Sequence, residues 1–195
     1  MTQRGLRKIL QKSIPIETER LILRYIEPND AYDMFEYASI PEVCEYLLWS
    51  PHINVAATSG YIEFLQKRYV KGLFGDWAVV LKEENKMIGT CGFANIDSNM
   101  NQCEIGYVLS PKYRRKGYMT EAVEAVLQLS FEKLGMLNAK LRIIEQNQDS
   151  IRLAKRVGFK LDTIIENEME IKGAMRNIAH YSMSKAEYER KKEAE

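Results

Sequence analysis

Residues 103–121, CEIGYVLSPKYRRKGYMTE, constrain this chain more than any other stretch. Alternating apolar residues up to Leu109 read as a strand, Ser110-Pro111 turns the chain, and Arg114, Arg115 and Lys116 supply consecutive cations. Gly117 then opens a helix whose apolar stripe is Val123, Val126, Leu127, Phe131 and Leu134. The first amides of a helix lack internal partners and its dipole is positive at that end. A glycine lets backbone approach a ligand closely. A strand, a basic turn, a glycine and a helix in that order therefore predict a mono- or diphosphate site. A solvated turn before an ordinary helix is the simpler alternative for the cations taken alone. The loops GxxxxGK[ST] and GxGxxG do not occur, so nucleoside triphosphate and dinucleotide sites lose their main support.

Around this segment the periodicity changes repeatedly. Residues 19–25 read as a strand, and Pro28-Asn29-Asp30 starts a helix with Asn29 or Asp30 as cap. A loop rich in breakers follows, from Pro41 to Pro51, and a helix over 55–71 ends at Gly72 and Gly75. Residues 76–82, 87–95 and 103–109 form strands with links short enough for an antiparallel meander. A helix runs from Tyr118 or Thr120 to Leu134, a strand covers 139–145, a short helix covers 149–157, and 159–171 with 177–184 close the chain as strands. The fold class is α/β with a mixed sheet, and residues 1–195 read as one domain. Residues 1–14 read as a loosely docked N-terminal extension, although Leu6, Ile9 and Leu10 share one face of a short helix; residues 185–195 read as a charged tail.

Composition excludes several classes. Hydrophobic residues at 46% and charged residues at 28% fit a globular chain, and a net charge of +1 disfavours a direct nucleic-acid binder, even with basic clusters at 114–116 and 152–156. No apolar run reaches the roughly 20 residues of a membrane span. Three cysteines without framework spacing imply reduced thiols and a cytoplasmic location, and with only His52 and His180 as imidazoles no metal site is expected.

Arg114-Arg115-Lys116-Gly117-Tyr118-Met119 resembles the acetyl-CoA pyrophosphate loop of the GNAT N-acetyltransferase superfamily, (Q/R)xxGx(G/A), with Met119 in place of Gly or Ala. Thr18-Glu19-Arg20-Leu21, Met87-Ile88-Gly89 with Gly92-Phe93, and Asn147-Gln148-Asp149-Ser150 followed by Gly158-Phe159 are similar, in order, to segments of its RimJ/RimL-type branch. The resemblance spans nearly the whole chain. It implies a mostly antiparallel sheet of about seven strands flanked by about four helices, with a splayed strand pair holding CoA.

It further implies acetyl transfer from acetyl-CoA to a primary amine, most closely a protein N-terminal α-amine of the ribosomal-protein alanine type. A small-molecule amine acceptor and a non-catalytic acyl-CoA-binding module are the alternatives, and a homodimer is one form the branch allows. Val108 and Leu109 would pair with the pantetheine arm through free strand edges, and Asn147 would contact it by side chain, unless it is only a turn residue. Arg114, Arg115, Lys116, Gly117, Tyr118, Met119 and Thr120 would hold the phosphates. Glu104 is the candidate base, acting through water, or else a charge at the sheet surface. Ser150 is either a proton donor to the leaving thiolate or a helix N-cap. Glu45, Tyr46 and Trp49, with His52 and Trp77 nearby, would form the acceptor pocket.

Overall fold

A computed structural model describes residues 3–71 and 75–194. Its elements in order are α1 (Gln3–Ser13), β1 (Ile16–Glu17), β2 (Leu21–Arg24), α2 (Ala31–Ala38), α3 (Pro41–Cys44), α4 (Val55–Val70), β3 (Asp76–Leu81), β4 (Lys86–Asp97) and β5 (Gln102–Leu109). They continue with α5 (Tyr118–Gln128), β6 (Asn138–Ile144), α6 (Gln148–Val157), β7 (Lys160–Ile171), β8 (Ala174–Ser184) and α7 (Lys185–Ala194). The strands form one sheet in the order β1-β2-β3-β4-β5-β6-β8-β7. Every neighbouring pair is antiparallel except β5 and β6.

Both faces of the sheet are covered at β3, which is why it reads as a continuous apolar run, DWAVVL, whereas the edge strand β7 is largely exposed. Trp77, Val79 and Leu81 pack with α1, α5 and α6 on one face, while Ala78 and Val80 pack with α2 and α4 on the other. Asp30 stands at the N-cap position of α2 but makes no side-chain bond to that helix; its carboxylate is held by both terminal nitrogens of Arg24 at 2.7 Å and by the Glu27 amide. Helix α5 widens into a π-turn at Leu129–Lys133 before Gly135 adopts a left-handed φ of 65°.

Differences from the sequence expectation are local. The described residues hold eight strands because Ile16–Glu17, too short to show a period, pairs with Leu23 and Ile22. Helix α3 begins at Pro41, where proline suits a first turn but had marked a loop. Residues 3–13 are not loosely docked: Leu6 and Leu10 are buried in the core beside Leu21, Ile88 and Val126. The apolar face of α1 therefore found a place on the sheet. The charged tail helix α7 holds no fully buried residue, but Tyr188 packs partly buried against the core, its ring 5.0 Å from that of Phe131. Gly72, expected to end α4, lies outside the described residues, and α4 ends at Val70.

The feature that positions the site is where β5 and β6 part. They pair only at Gln102, Cys103 and Glu104 against Asn138, Ala139 and Lys140. Opposite Glu104 and Ile105, strand β4 carries a bulge between Phe93 and Asn95. A bulge raises local twist, so β5 turns away from β6 beyond Glu104 and leaves an edge without a ladder partner.

Candidate active site

A cavity of about 1120 Å³ opens from this gap. Val108 and Leu109 of β5, the turn through Arg114, Arg115 and Gly117, and the start of α5 at Tyr118, Met119 and Thr120 line one part. Asn147 and Ser150 at the start of α6 line another, and Glu42, Glu45, Tyr46 and Leu47 line a third.

The turn has the geometry an anion needs. Arg115 and Gly117 both take left-handed φ values, 62° and 84°, which curl the backbone before the helix. Gly117 is the N-cap residue of α5, and no side chain caps that helix. Helix α6 differs: its N-cap Asn147 accepts the Ser150 amide at 3.2 Å. This corrects the reading of Ser150 as the cap. The Ser150 hydroxyl instead lies 2.8 Å from the Tyr107 hydroxyl, and both residues line the cavity. Burial pushes the Tyr107 phenol well above its ordinary pKa, with the Ser150 hydrogen bond acting the other way. The Tyr107 phenol therefore stays protonated at every ordinary pH.

The cavity carries charge of opposite sign at its two ends. Arg114, Arg115, Arg152 and Arg156 stand on the phosphate-loop side with Asp149, which pairs with Arg152 and lies 3.8 Å from Arg114. Glu42 and Glu45 stand on the side of the α3 segment.

Other expected residues fall elsewhere. Glu104 is not among the cavity-lining residues; its carboxylate accepts the Arg142 Nε at 3.0 Å, on the short stretch where β5 and β6 still pair. Lys116 points its ammonium over the Tyr113 ring, 5.6 Å from the centroid. Trp49 packs against the α2–α4 core and the His52 ring, 5.1 Å away. His52 bonds Thr58 at 2.8 Å, and burial lowers its pKa. Trp77 is a core residue, edge-on to Phe93 at 5.5 Å.

Sequence reasoning missed Tyr107, Glu42, Arg152 and Arg156. Arg152 and Arg156 were visible in principle, since i, i+4 spacing after the Asn147 cap places them on one face of α6. Tyr107 was not, because strand alternation assigns it to the core side with Cys103 and Ile105, and only the parting of the strands opens that position.

Comparison with known proteins agrees with this geometry. Residues 20–160 match the acetyltransferase (GNAT) domain family. The chain belongs to the GNAT acetyltransferase family. A relative from Bacillus licheniformis described as the uncharacterized N-acetyltransferase p20 is 30% identical over 171 residues, 88% of this chain and 96% of the relative. The Escherichia coli [ribosomal protein uS5]-alanine N-acetyltransferase is 22% identical over 84% of this chain and 87% of its own length. A GNAT-family acetyltransferase structure from Bacillus anthracis superposes with a TM-score of 0.79 at 23% identity, covering 89% of this chain and 99% of that one. This chain is accordingly an N-acetyltransferase, of a family that uses acetyl-CoA. Among the described residues no helix is long and apolar enough to cross a membrane, and Cys44, Cys91 and Cys103 are all free and buried.

Proposed function

We propose that this GNAT enzyme acetylates a protein N-terminal α-amine of the ribosomal-protein alanine type. The observation that carries the reading is the change of charge along one cavity. Its basic end suits the phosphates of acetyl-CoA, its acidic end suits a cationic amine, and the free edge of β5 joins the two. The name of the Escherichia coli relative supports a protein terminus as the acceptor.

Acetyl-CoA supplies a thioester carbonyl as the electrophile and a thiolate as leaving group. Arg114 and Arg115, with the open amides of Tyr118, Met119 and Thr120, receive the diphosphate. Arg152 and Arg156 add positive field for a further phosphate. The unpaired backbone of Val108 and Leu109 hydrogen-bonds the pantetheine amides, and a backbone N–H there steadies the developing oxyanion. The Asn147 cap uses only its side-chain oxygen and leaves its amide N–H groups for the same arm.

Glu45 draws in the ammonium form of the acceptor, beside Tyr46. Glu104 takes the amine proton through water. Gly106, between Glu104 and Val108 on the same strand face, has no side chain to block that path. Ser150 donates a hydrogen bond that steadies the departing thiolate, and the Tyr107 hydroxyl beside it orients that bond. Tyr107→Phe and Ser150→Ala should each lower kcat about tenfold, the worth of one hydrogen bond of ~1.4 kcal/mol. The double variant should be no slower than either single, since the two hydroxyls act as a unit. Additive losses would separate them.

The acceptor is tested by mass spectrometry on a panel of peptides with different first residues alongside polyamines, amino acids and aminoglycosides. Acetylation confined to peptide α-amines supports the proposal. Turnover of small amines with untouched peptides moves the enzyme to that class instead.

A further inference from the structure

The segment Thr18-Glu19-Arg20 lies far in sequence from the phosphate-binding turn, yet it is bonded to it from several directions. Glu121, in the first turn of α5, accepts the Thr18 hydroxyl at 2.6 Å, the Arg20 amide at 2.8 Å and the Arg20 Nε at 2.7 Å. The same guanidinium donates to the Lys116 carbonyl at 2.9 Å and lies 4.6 Å from the centroid of the Tyr118 ring. A Cβ on Gly117 would sit 3.3 Å from another of its nitrogens. Arg20 therefore bonds Lys116 and lies over Tyr118, and occupies the space beside Gly117 where a side chain would have to go.

Glu121 sets a problem that this contact solves. A carboxylate in a first turn favours the helix dipole. It also stands one turn from the amides that would hold a phosphate, where a bare negative charge repels the ligand. Burial works against its charge, but the bonds from Thr18 and Arg20 prevail and hold its pKa below the ordinary value. It is thus ionised at neutral pH and needs a counter-charge.

We infer that Arg20 is a positioning residue for cofactor binding, one that cancels the Glu121 carboxylate and fixes the left-handed turn at Gly117 so that the α5 amides accept a diphosphate. The inference rests on the phosphate-site reading above. It makes Thr18 and Arg20, which contact no reacting atom, determinants of acetyl-CoA affinity.

The test measures binding of acetyl-CoA and of acetyl-pantetheine, which lacks the phosphates, by calorimetry, with kcat and acceptor KM in parallel. Wild type should prefer acetyl-CoA strongly; if it does not, the phosphate-site reading itself fails. Given that preference, Arg20→Gln should weaken acetyl-CoA by about tenfold or more, from an uncompensated charge at short range, and leave acetyl-pantetheine, acceptor KM and saturated kcat near wild type. Glu121→Gln should weaken it much less, because the arginine charge remains. The double variant should recover most of the Arg20→Gln loss, and Arg20→Lys part of it. Equal losses in both single variants with no recovery in the double, or losses shared by acetyl-pantetheine, would reduce the contact to a structural latch and overturn the inference. Melting temperatures on each variant, with Arg20→Lys as the mildest change, keep the comparison among folded proteins.

Discussion

Gly89→Ala should cripple this enzyme, while Gly60→Ala should leave it intact or slightly more stable. A Cβ at Gly89 would lie 2.2 Å from the Val108 carbonyl oxygen and 3.1 Å from the Leu109 Cα. Gly89 pairs with Leu109 across β4 and β5, and the next link, from the Ser110 amide to the Ile88 carbonyl at 2.9 Å, leads into the phosphate turn. The clash is with backbone, so no rotamer change relieves it, and the two strands must move apart. Overpacking of this kind costs about 3 kcal/mol. For a chain of this size that is a fall in Tm of roughly 6–12 °C. The strand displaced is the one whose free edge is assigned to pantetheine, so acetyl-CoA affinity should fall with stability. Gly60 is exposed in the middle of α4 and nothing lies within 4 Å of its added Cβ. There alanine gains helix propensity worth up to about 1 kcal/mol. Thermal melts and acetyl-CoA titration of the two variants check the opposite signs; a stable, fully binding Gly89→Ala protein would refute the close approach of β4 and β5.

Glu104→Gln should lower kcat by about a hundredfold or more, within the usual range for loss of a general base. The change is nearly isosteric. It removes an ion pair with Arg142 whose arginine is substantially exposed, at 38%, so stability should move by less than about 1 kcal/mol. Acetyl-CoA binding should not change, because Glu104 lies at the closed end of the strand gap and away from the phosphate turn. Turnover near wild type would remove Glu104 from the chemistry and leave it as a sheet-surface charge paired with Arg142.

The order of the elements was largely readable because apolar runs of helical or strand spacing alternate with short polar or glycine-containing breaks. Val55–Val70 and Tyr118–Gln128 show helical stripes, and β3, β4 and β5 are separated by short polar turns. The phosphate turn was readable for a different reason: its chemistry is contiguous in sequence, so cations, glycine and helix start can be seen together. What could not be read depends on contacts between distant segments. The burial of Leu6 and Leu10 needs the sheet face they cover. The hydroxyl pair of Tyr107 and Ser150 joins β5 to α6 across the gap. Arg20 meets Glu121 only because β2 enters beside α5. Trp49 and Trp77 looked like pocket residues by type, but an aromatic ring serves a core equally well, and packing against α2, α4 and Phe93 claimed them.

The central claim, one cavity that holds acetyl-CoA by its phosphates and an amine by its acids, is tested most directly by thermal stability with increasing acetyl-CoA, beside acetyl-pantetheine as the phosphate-free control. Stabilisation grows as the logarithm of ligand over Kd, reaching ~2.7 kcal/mol at about 100 times Kd. On this chain that predicts a Tm rise of roughly 5–10 °C with acetyl-CoA and little with acetyl-pantetheine. No rise at large excess of acetyl-CoA, or an equal rise with both ligands, would contradict the assignment of the basic turn and the start of α5 to the cofactor's phosphates.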